Sequence, residues 1–313
     1  MRAIVNHKLL PFIVIVLTGC PSNGQDANGN ATVARQGPPF SADAAFEHIR
    51  TQVGFGPRVA GTPGHQQQLE WMTQYLRERA DSVEIQSFTH THSVSKKQIA
   101  MSNVIARFNP QSQERVLLVT HWDTRPTADY DADNDARNQP IPGANDGGSG
   151  TAVLLEIANV LKQQKPTIGV DLLFVDGEDY GPEEPDMYLG AKYFAAQAGT
   201  YRPLYGVLID MIADRTPRYA IEDHSDRMAP EVVQRIWGLA DQLGFGRYFP
   251  RTNQGAVGDD HVPLNNAGIR TANIIDCCDP PWHTLQDNLA NVSPEGLGVV
   301  GTVLIELIFR EGR

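Results

Sequence analysis

The sequence predicts an α/β fold: a single domain with a mixed, mostly parallel central sheet and helices on both faces. Three observations predict it. Continuous apolar runs at 115–120 (RVLLVT), 170–175 (VDLLFV) and 206–212 (GVLIDMI) have the character of strands buried on both faces. The segments between them carry apolar residues at spacings of three and four, the period of a helix with one buried face. Regular alternation of the two patterns calls for one sheet covered by helices on either side.

The elements follow in order. Residues 44–53 and 63–79 read as helices, the second with Leu69, Met72 and Leu76 on one face. Residues 83–88 and 99–108 read as strands that open into turns, and 115–120 is the first fully buried strand. A Gly-Ser cap starts a helix at 149–163. Strand 170–175, helix 190–197 and strand 206–212 come next, then helix 230–243, strand 271–275 and a closing helix at 294–309. No internal repeat interrupts this order.

Charge and cysteine content narrow the function. A net charge of −11 excludes nucleic acid as the partner, because phosphates call for a basic surface. Cys20, Cys277 and Cys278 are the three cysteines, too few for a disulfide framework. The adjacent pair closes only a small strained ring, so it reads as two buried thiols. No further cysteine completes a thiolate metal site.

The N-terminus reads as an address. Arg2, His7 and Lys8 precede an apolar run at 9–17, too short for a permanent membrane helix and suited to a signal-peptide core. Leu17-Thr18-Gly19-Cys20 resembles the lipobox of bacterial lipoproteins. That resemblance implies a signal peptide at 1–20, with Cys20 acylated as the first mature residue. Residues 21–42, polar and rich in Gly, Asn and Pro, read as a flexible tether, leaving 43–313 as the catalytic domain. The expectation is an exported lipoprotein on the periplasmic side of the envelope, touching the membrane through its lipid anchor alone. The absence of aspartate after Cys20 points, by similarity to known sorting, to the outer membrane.

Ligands of doubly wound sheets sit at the carboxyl ends of strands, and the chemistry-bearing residues fall there. His121-Trp122-Asp123 follows strand 115–120, and Asp146 lies in a glycine-rich turn before helix 149–163. Glu178 and Asp179 follow strand 170–175, Asp210 lies within strand 206–212, and Trp282-His283-Thr284 stands near the C-terminus. Singly, His121 reads as a structural histidine, Asp146 as a helix cap and Glu178-Asp179 as a solvated loop. Asp210 among apolar residues differs, since a buried lone carboxylate is costly unless paired or bound to metal. Together, nitrogen and oxygen donors at converging strand ends match a zinc site with an open position. The acidic run at 129–135 lacks the glycine and terminal glutamate of a calcium loop and reads as solvated. His224 reads as surface, and His261 as a neighbour of the site rather than a ligand.

At these residues the chain resembles the zinc aminopeptidase superfamily that includes the glutaminyl cyclases, over about residues 45–310. The runs at 54–62 (GFGPRVAGT), 121–126 (HWDTRP), 177–181 (GEDYG) and 256–261 (AVGDDH), with Trp282 before His283, are similar to the bacterial cyclases. The segment after Asp179 lacks the tryptophan that animal cyclases place there, and their disulfide near the first motif is absent too. The resemblance implies cyclisation of N-terminal glutamine in peptides or proteins to pyroglutamate, with release of ammonia. It assigns zinc to Asp146, Asp179 and His283, acid/base work to Glu178, a hydrogen bond with Glu178 to Asp259, and the substrate amine to Asp210. Trp282 and Trp122 are the expected pocket walls, with core packing as the alternative for Trp122. The competing expectation is a di-zinc aminopeptidase, with His121 and Asp210 ligating a second metal.

Overall fold

The structure is a computed structural model that describes residues 33–278 and 280–311. The signal peptide, Cys20 and the first part of the tether lie outside the described residues.

Six strands form one sheet in the order β1-β2-β4-β3-β5-β6. Strands β3 (Arg115–His121), β4 (Gly169–Val175), β5 (Tyr205–Asp210) and β6 (Thr271–Ile275) are parallel, β3 lying between β4 and β5. The hairpin of β1 (Ser82–Thr91) and β2 (Gln98–Phe108) adds antiparallel to the outer edge of β4. The sheet is therefore mixed and mostly parallel, as predicted.

Both-sided burial explains why the central strands read as unbroken apolar runs. On β3, Val116 and Leu118 enter the larger core while Leu117 and Val119 enter the smaller one. The larger layer is built by α1 (Ala42–Gly54), α2 (Pro63–Arg77), α3 (Gly148–Gln163), α6 (Pro230–Gln242) and α8 (Pro294–Arg310). The smaller comes from α4 (Leu189–Gln197) and α7 (His261–Asn266), whose Ala191, Phe194 and Leu264 meet Leu117, Leu173 and Leu208. Each large aliphatic side chain so buried contributes on the order of 1.5–3 kcal/mol, so neither layer is dispensable.

The tether expectation is corrected for residues 33–41. The backbone N–H groups of Gln36 and Gly37 donate to buried Glu306 on α8, at 2.8 and 2.9 Å, and Arg310 donates to the Ala34 carbonyl. Phe40 packs on Gly301, where a Cβ would lie 2.5 Å from its ring. A polar composition left room for flexibility, but a buried carboxylate that accepts two backbone donors holds the segment down.

Two short α-helices escaped the sequence reading, α7 and the one that opens at residue 223. The stretch 221–226 (IEDHSD), read as polar surface, starts α5 (Asp223–Met228). Glu222 caps it by accepting from the N–H groups of His224 and Ser225, and lies 2.9 Å from buried His261. Burial pushes the Glu222 carboxyl up, but the hydrogen bonds and charge of His261 and the capping N–H groups outweigh it and hold the pKa at about 2. A lowered folded pKa gives stability that is complete above the ordinary 4.5 and is lost as pH falls through about 2. Glu222→Gln is expected to remove roughly 2–3 kcal/mol at pH 7 and to flatten the decline below pH 4.5, read by urea unfolding at several pH values.

Candidate active site

Four chain segments meet at the carboxyl ends of the parallel strands. β3 ends at His121 and continues to Asp123, whose carboxylate accepts the N–H groups of Glu178 (3.1 Å) and Asp179 (3.3 Å). The loop after β4 is thus tied to the loop after β3. The Asp146 turn is framed by Asp287, a buried carboxylate that accepts the N–H groups of Asn145 (2.8 Å) and Asp146 (3.1 Å). Gly147 makes the turn possible: its φ is +73°, and a Cβ there would lie 2.2 Å from the Asp123 carbonyl. Buried Arg58 closes the back of the loop by donating to the carbonyls of Pro142 and Gly143.

His121, Asp146, Asp179, Asp210 and His283 are all buried and converge, forming two overlapping sets of donor atoms. One set is Asp146, Asp179 and His283; the other is His121, Asp146 and Asp210; in each the donor atoms lie within 4.8 Å of one another. His283 Nε2 is 3.4 Å from Asp179 Oδ1 and 3.6 Å from Asp146 Oδ2, too far for a hydrogen bond. Ligands about 2.0–2.1 Å from a tetrahedral zinc stand about 3.3–3.4 Å apart, so this spacing suits that ion. Asp179 Oδ2 is buried with no hydrogen-bond partner among the described residues, a cost that a cation would offset. The second set is tighter. His121 Nε2 lies 3.0 Å from Asp210 Oδ1, within hydrogen-bond reach, and 3.3 Å from Asp146.

Burial, with the charges of Asp179, Asp259 and Asp260, raises the Glu178 carboxyl well above the carboxylate range against the pull of His121. Burial and Asp210 bring Asp259 to about 7. Asp259 is held from two sides, by the Asn273 amide at 2.6 Å and by the N–H of Asp260, also at 2.6 Å. Glu178, Asp210, Asp259 and Trp282 line one cavity of about 340 Å³ together with Asp146, Asp179 and His283. Three residues on its wall, Tyr188, Met211 and His283, have positive φ values of 57°, 47° and 52°. Such conformations cost about 1–3 kcal/mol each and gather where side chains must be aimed. At Met211 the turn also ends β5 two residues before the predicted boundary.

Two sequence expectations are corrected. Trp122 does not wall the cavity: it is fully buried, stacked on His65 at 4.3 Å, with its indole N–H on the Ser102 carbonyl. His65 in turn pairs with buried Asp176 at 2.9 Å, so Trp122 supports the floor beneath the loop after β4. Cys277 and Cys278 are not two buried thiols: they lie side by side at the cavity edge, Cys277 half-buried and Cys278 exposed. They follow the end of β6, where the chain runs over the cavity rim instead of through the core.

Sequence reasoning missed Arg125, Asp287 and Tyr188. Arg125 is buried and donates to Asp179 Oδ1 at 2.6 Å while pairing with Asp129. The arginine in 121–126 was a visible signal for it, since a cation beside ligand carboxylates orients them. Tyr188 occupies the wall on the side of the segment after Asp179, where no tryptophan is present. Nothing local marks Asp287.

Residues 103–308 match peptidase family M28. The chain is 28% identical over 265 residues to the Drosophila melanogaster glutaminyl-peptide cyclotransferase, covering 74% of this chain and 71% of that protein. The Bacteroides thetaiotaomicron glutaminyl cyclase bound to N-acetylhistamine superposes with TM-score 0.85 at 33% identity, over 88% of this chain and 99% of that one. A Zn-dependent exopeptidase from Parabacteroides distasonis superposes with TM-score 0.82 at 34% identity, over 88% and 99%. Strand ends, converging donors and these likenesses agree: the chain belongs to peptidase family M28, as an enzyme of the glutaminyl-cyclase type.

Proposed function

We propose that the enzyme cyclises the N-terminal glutamine of peptides and proteins to pyroglutamate and releases ammonia. The carrying observation is a buried acid, Glu178, that shares a side-chain-sized cavity with Asp210, Asp259 and a three-donor set. Asp146, Asp179 and His283 would hold zinc. Bound there, the ion supplies Lewis-acid polarisation of the substrate amide oxygen.

The remaining work falls to the chain. The α-amine is already tethered to the amide it attacks, so positioning provides much of the acceleration. Asp210 accepts a hydrogen bond from the amine and aims it. Glu178 takes the proton that the amine loses as the new C–N bond forms. It returns that proton to the side-chain nitrogen, which leaves as ammonia when the old C–N bond breaks. A carboxyl raised toward neutrality exchanges a proton in both directions, as this requires. Asp259 accepts from Asn273 and from the Asp260 N–H, and among the described residues it does not make the expected hydrogen bond with Glu178; it lines the same cavity, where its charge adds to the burial that raises Glu178. Trp282 walls the cavity.

The second set, His121, Asp146 and Asp210, favours one other reading, a two-metal aminopeptidase. Against it, His121 Nε2 and Asp210 Oδ1 lie 3.0 Å apart, at hydrogen-bond distance and closer than the about 3.3 Å that two ligands of one tetrahedral zinc keep. The products separate the two. With a glutaminyl dipeptide, the expected outcome is ammonia and a product lighter by one ammonia with its peptide bond intact. Free glutamine and a free second residue would replace the cyclase with the peptidase.

For location, we propose a periplasm-facing lipoprotein anchored through Cys20, on the strength of the lipobox resemblance at 17–20. Among the described residues no helix is long and apolar enough to cross a membrane. Docking of residues 33–41 on α8 leaves 21–32 as the span between anchor and body.

A further inference from the structure

The hairpin of β1 and β2 is longer than the strand beside it. β4 pairs with residues 104–108 of β2, whereas residues 98–103 pair with β1 and, among the described residues, with no other strand. This outer half runs past the carboxyl end of β4 and along the loop that follows it. There the Ser102 N–H donates to the Asp176 carboxylate at 2.7 Å, and Asn103 Oδ1 accepts the Asp176 N–H at 3.1 Å. Further out, the hairpin tip takes hold of Asp186, near the far end of the same loop. Asp186 is fully buried, and its carboxylate accepts from His90 Nε2 at 2.6 Å, from the Ser93 N–H at 2.8 Å and from the Ser93 hydroxyl. The tip is itself folded to present these donors. His92 Nδ1 accepts the N–H groups of Val94 and Ser95 at 3.1 and 3.2 Å, and the His92 ring meets Tyr180 of the loop edge-on at 5.9 Å. Hydrogen bonds to a charged acceptor are roughly twice as strong as neutral ones, so this is a firm anchor.

What the anchor holds is a wall of the catalytic cavity. The loop between Asp179 and Leu189 supplies Pro182, Met187 and Tyr188 to that wall. Its two feet are fixed close to the chemistry: Asp123 accepts the N–H groups of Glu178 and Asp179, and the Tyr188 N–H donates to the Glu178 carbonyl at 2.9 Å. Between the feet, the loop is gripped at Asp186, directly before Met187 and Tyr188. We propose that Asp186, His90 and Ser93 form a positioning clamp for the reaction, in which the hairpin tip sets where Met187 and Tyr188 stand and so how closely the cavity fits its substrate. This rests on the reading of that cavity as the place where the N-terminal glutamine is bound. None of the three residues lines the cavity; they act through Met187 and Tyr188. The feet of the loop have their own hydrogen bonds, so Glu178 and the metal donors keep their places when the clamp is opened. Opening it therefore weakens substrate binding and spares the chemical step.

The test measures kcat and KM for the amide of Gln-Ala, scored by disappearance of substrate so that cyclisation and hydrolysis count alike. Bound zinc and thermal unfolding are measured on the same samples. His90→Ala and Ser93→Ala change half-buried residues of the tip, and each leaves Asp186 at least one donor, so the fold survives. His90→Ala is expected to raise KM about tenfold and Ser93→Ala about threefold, with kcat and zinc within about twofold of wild type. His90→Gln, which keeps a donor for Asp186, is expected to recover most of the lost affinity. Glu184→Gln, on an exposed side chain that pairs with Lys192 on the outer side of the same loop, is expected to change neither constant. KM values within about twofold of wild type in both tip variants would overturn the proposal, whatever happens to the melting temperature, because the tip would then serve stability alone. It would also be overturned by a fall in kcat as large as the rise in KM, by loss of zinc, or by an equal rise in KM in Glu184→Gln. Hydrolysis products would remove the cyclase reading, while the split between KM and kcat still judged the clamp.

Discussion

Glu178→Gln is expected to lower kcat by about 10²–10⁴-fold and to leave KM and bound zinc within about twofold, by rapid kinetics and metal analysis. The substitution keeps the size and hydrogen-bonding capacity of the side chain and removes its ability to carry a proton. Its backbone remains tied to Asp123, so the loop after β4 keeps its place. Asp179, the neighbouring donor, keeps its contact with Arg125. A variant with full turnover would end the proton-shuttle role, and one that lost zinc along with activity would make Glu178 a support of the metal set. The split between kcat and metal content is therefore the decisive readout.

The second large effect is at His283. His283→Ala is expected to cut kcat/KM by about 10³-fold or more and to reduce zinc to well below one ion per chain after dialysis. His283 is the sole nitrogen donor of its set, with Asp146 and Asp179 supplying oxygen. Without it, two adjacent buried carboxylates face each other, and Asp179, already raised by burial and by Asp146, is left with Arg125 to offset that repulsion. The variant should therefore bind zinc more weakly at every pH, a result that needs no turnover to read. His121→Ala makes the contrast. Under the single-metal reading it retains zinc, whereas under the two-metal reading about half of the metal is lost. Retention of a full complement of zinc by His283→Ala would move the metal to His121, Asp146 and Asp210.

Much of this was legible in sequence because it is written at short range. The parallel strands announced themselves by runs such as 115–120 and 170–175, whose residues enter one core and then the other. A residue that ends such a run lies at the ligand-bearing edge of the sheet whatever the strand order, so His121, Glu178, Asp179 and Asp210 could be placed in advance. Trp122 failed for an instructive reason. It follows His121 directly, but its side chain turns to the opposite side, onto His65 and Ser102. Sequence order next to a functional residue does not tell which way a side chain leaves the backbone at a strand end. Tyr130 and Asp287 drew no expectation for a different reason, because each acts through a partner far along the chain: His283 for the first, and Asn145 with Asp146 for the second.

The sequence by itself determined the alternation of strands and helices, the acidic donors at strand ends and the family whose chemistry they resemble. These follow from periodicity, from the cost of burying unpaired charge, and from motifs a few residues long. Only the tertiary structure decided which donors share an atom-scale site, that Arg125 meets Asp179, and that residues 33–41 lie against α8. It alone placed Tyr130 on His283 and Asp186 at the tip of the hairpin. Those pairings depend on a sheet order in which β3 sits between β4 and β5 and the loop after β6 returns to the loop before α3. Local periodicity carries no information about that order, since chain closure over a hundred residues costs little more than closure over fifty. It is the packing of both cores at once that selects the arrangement.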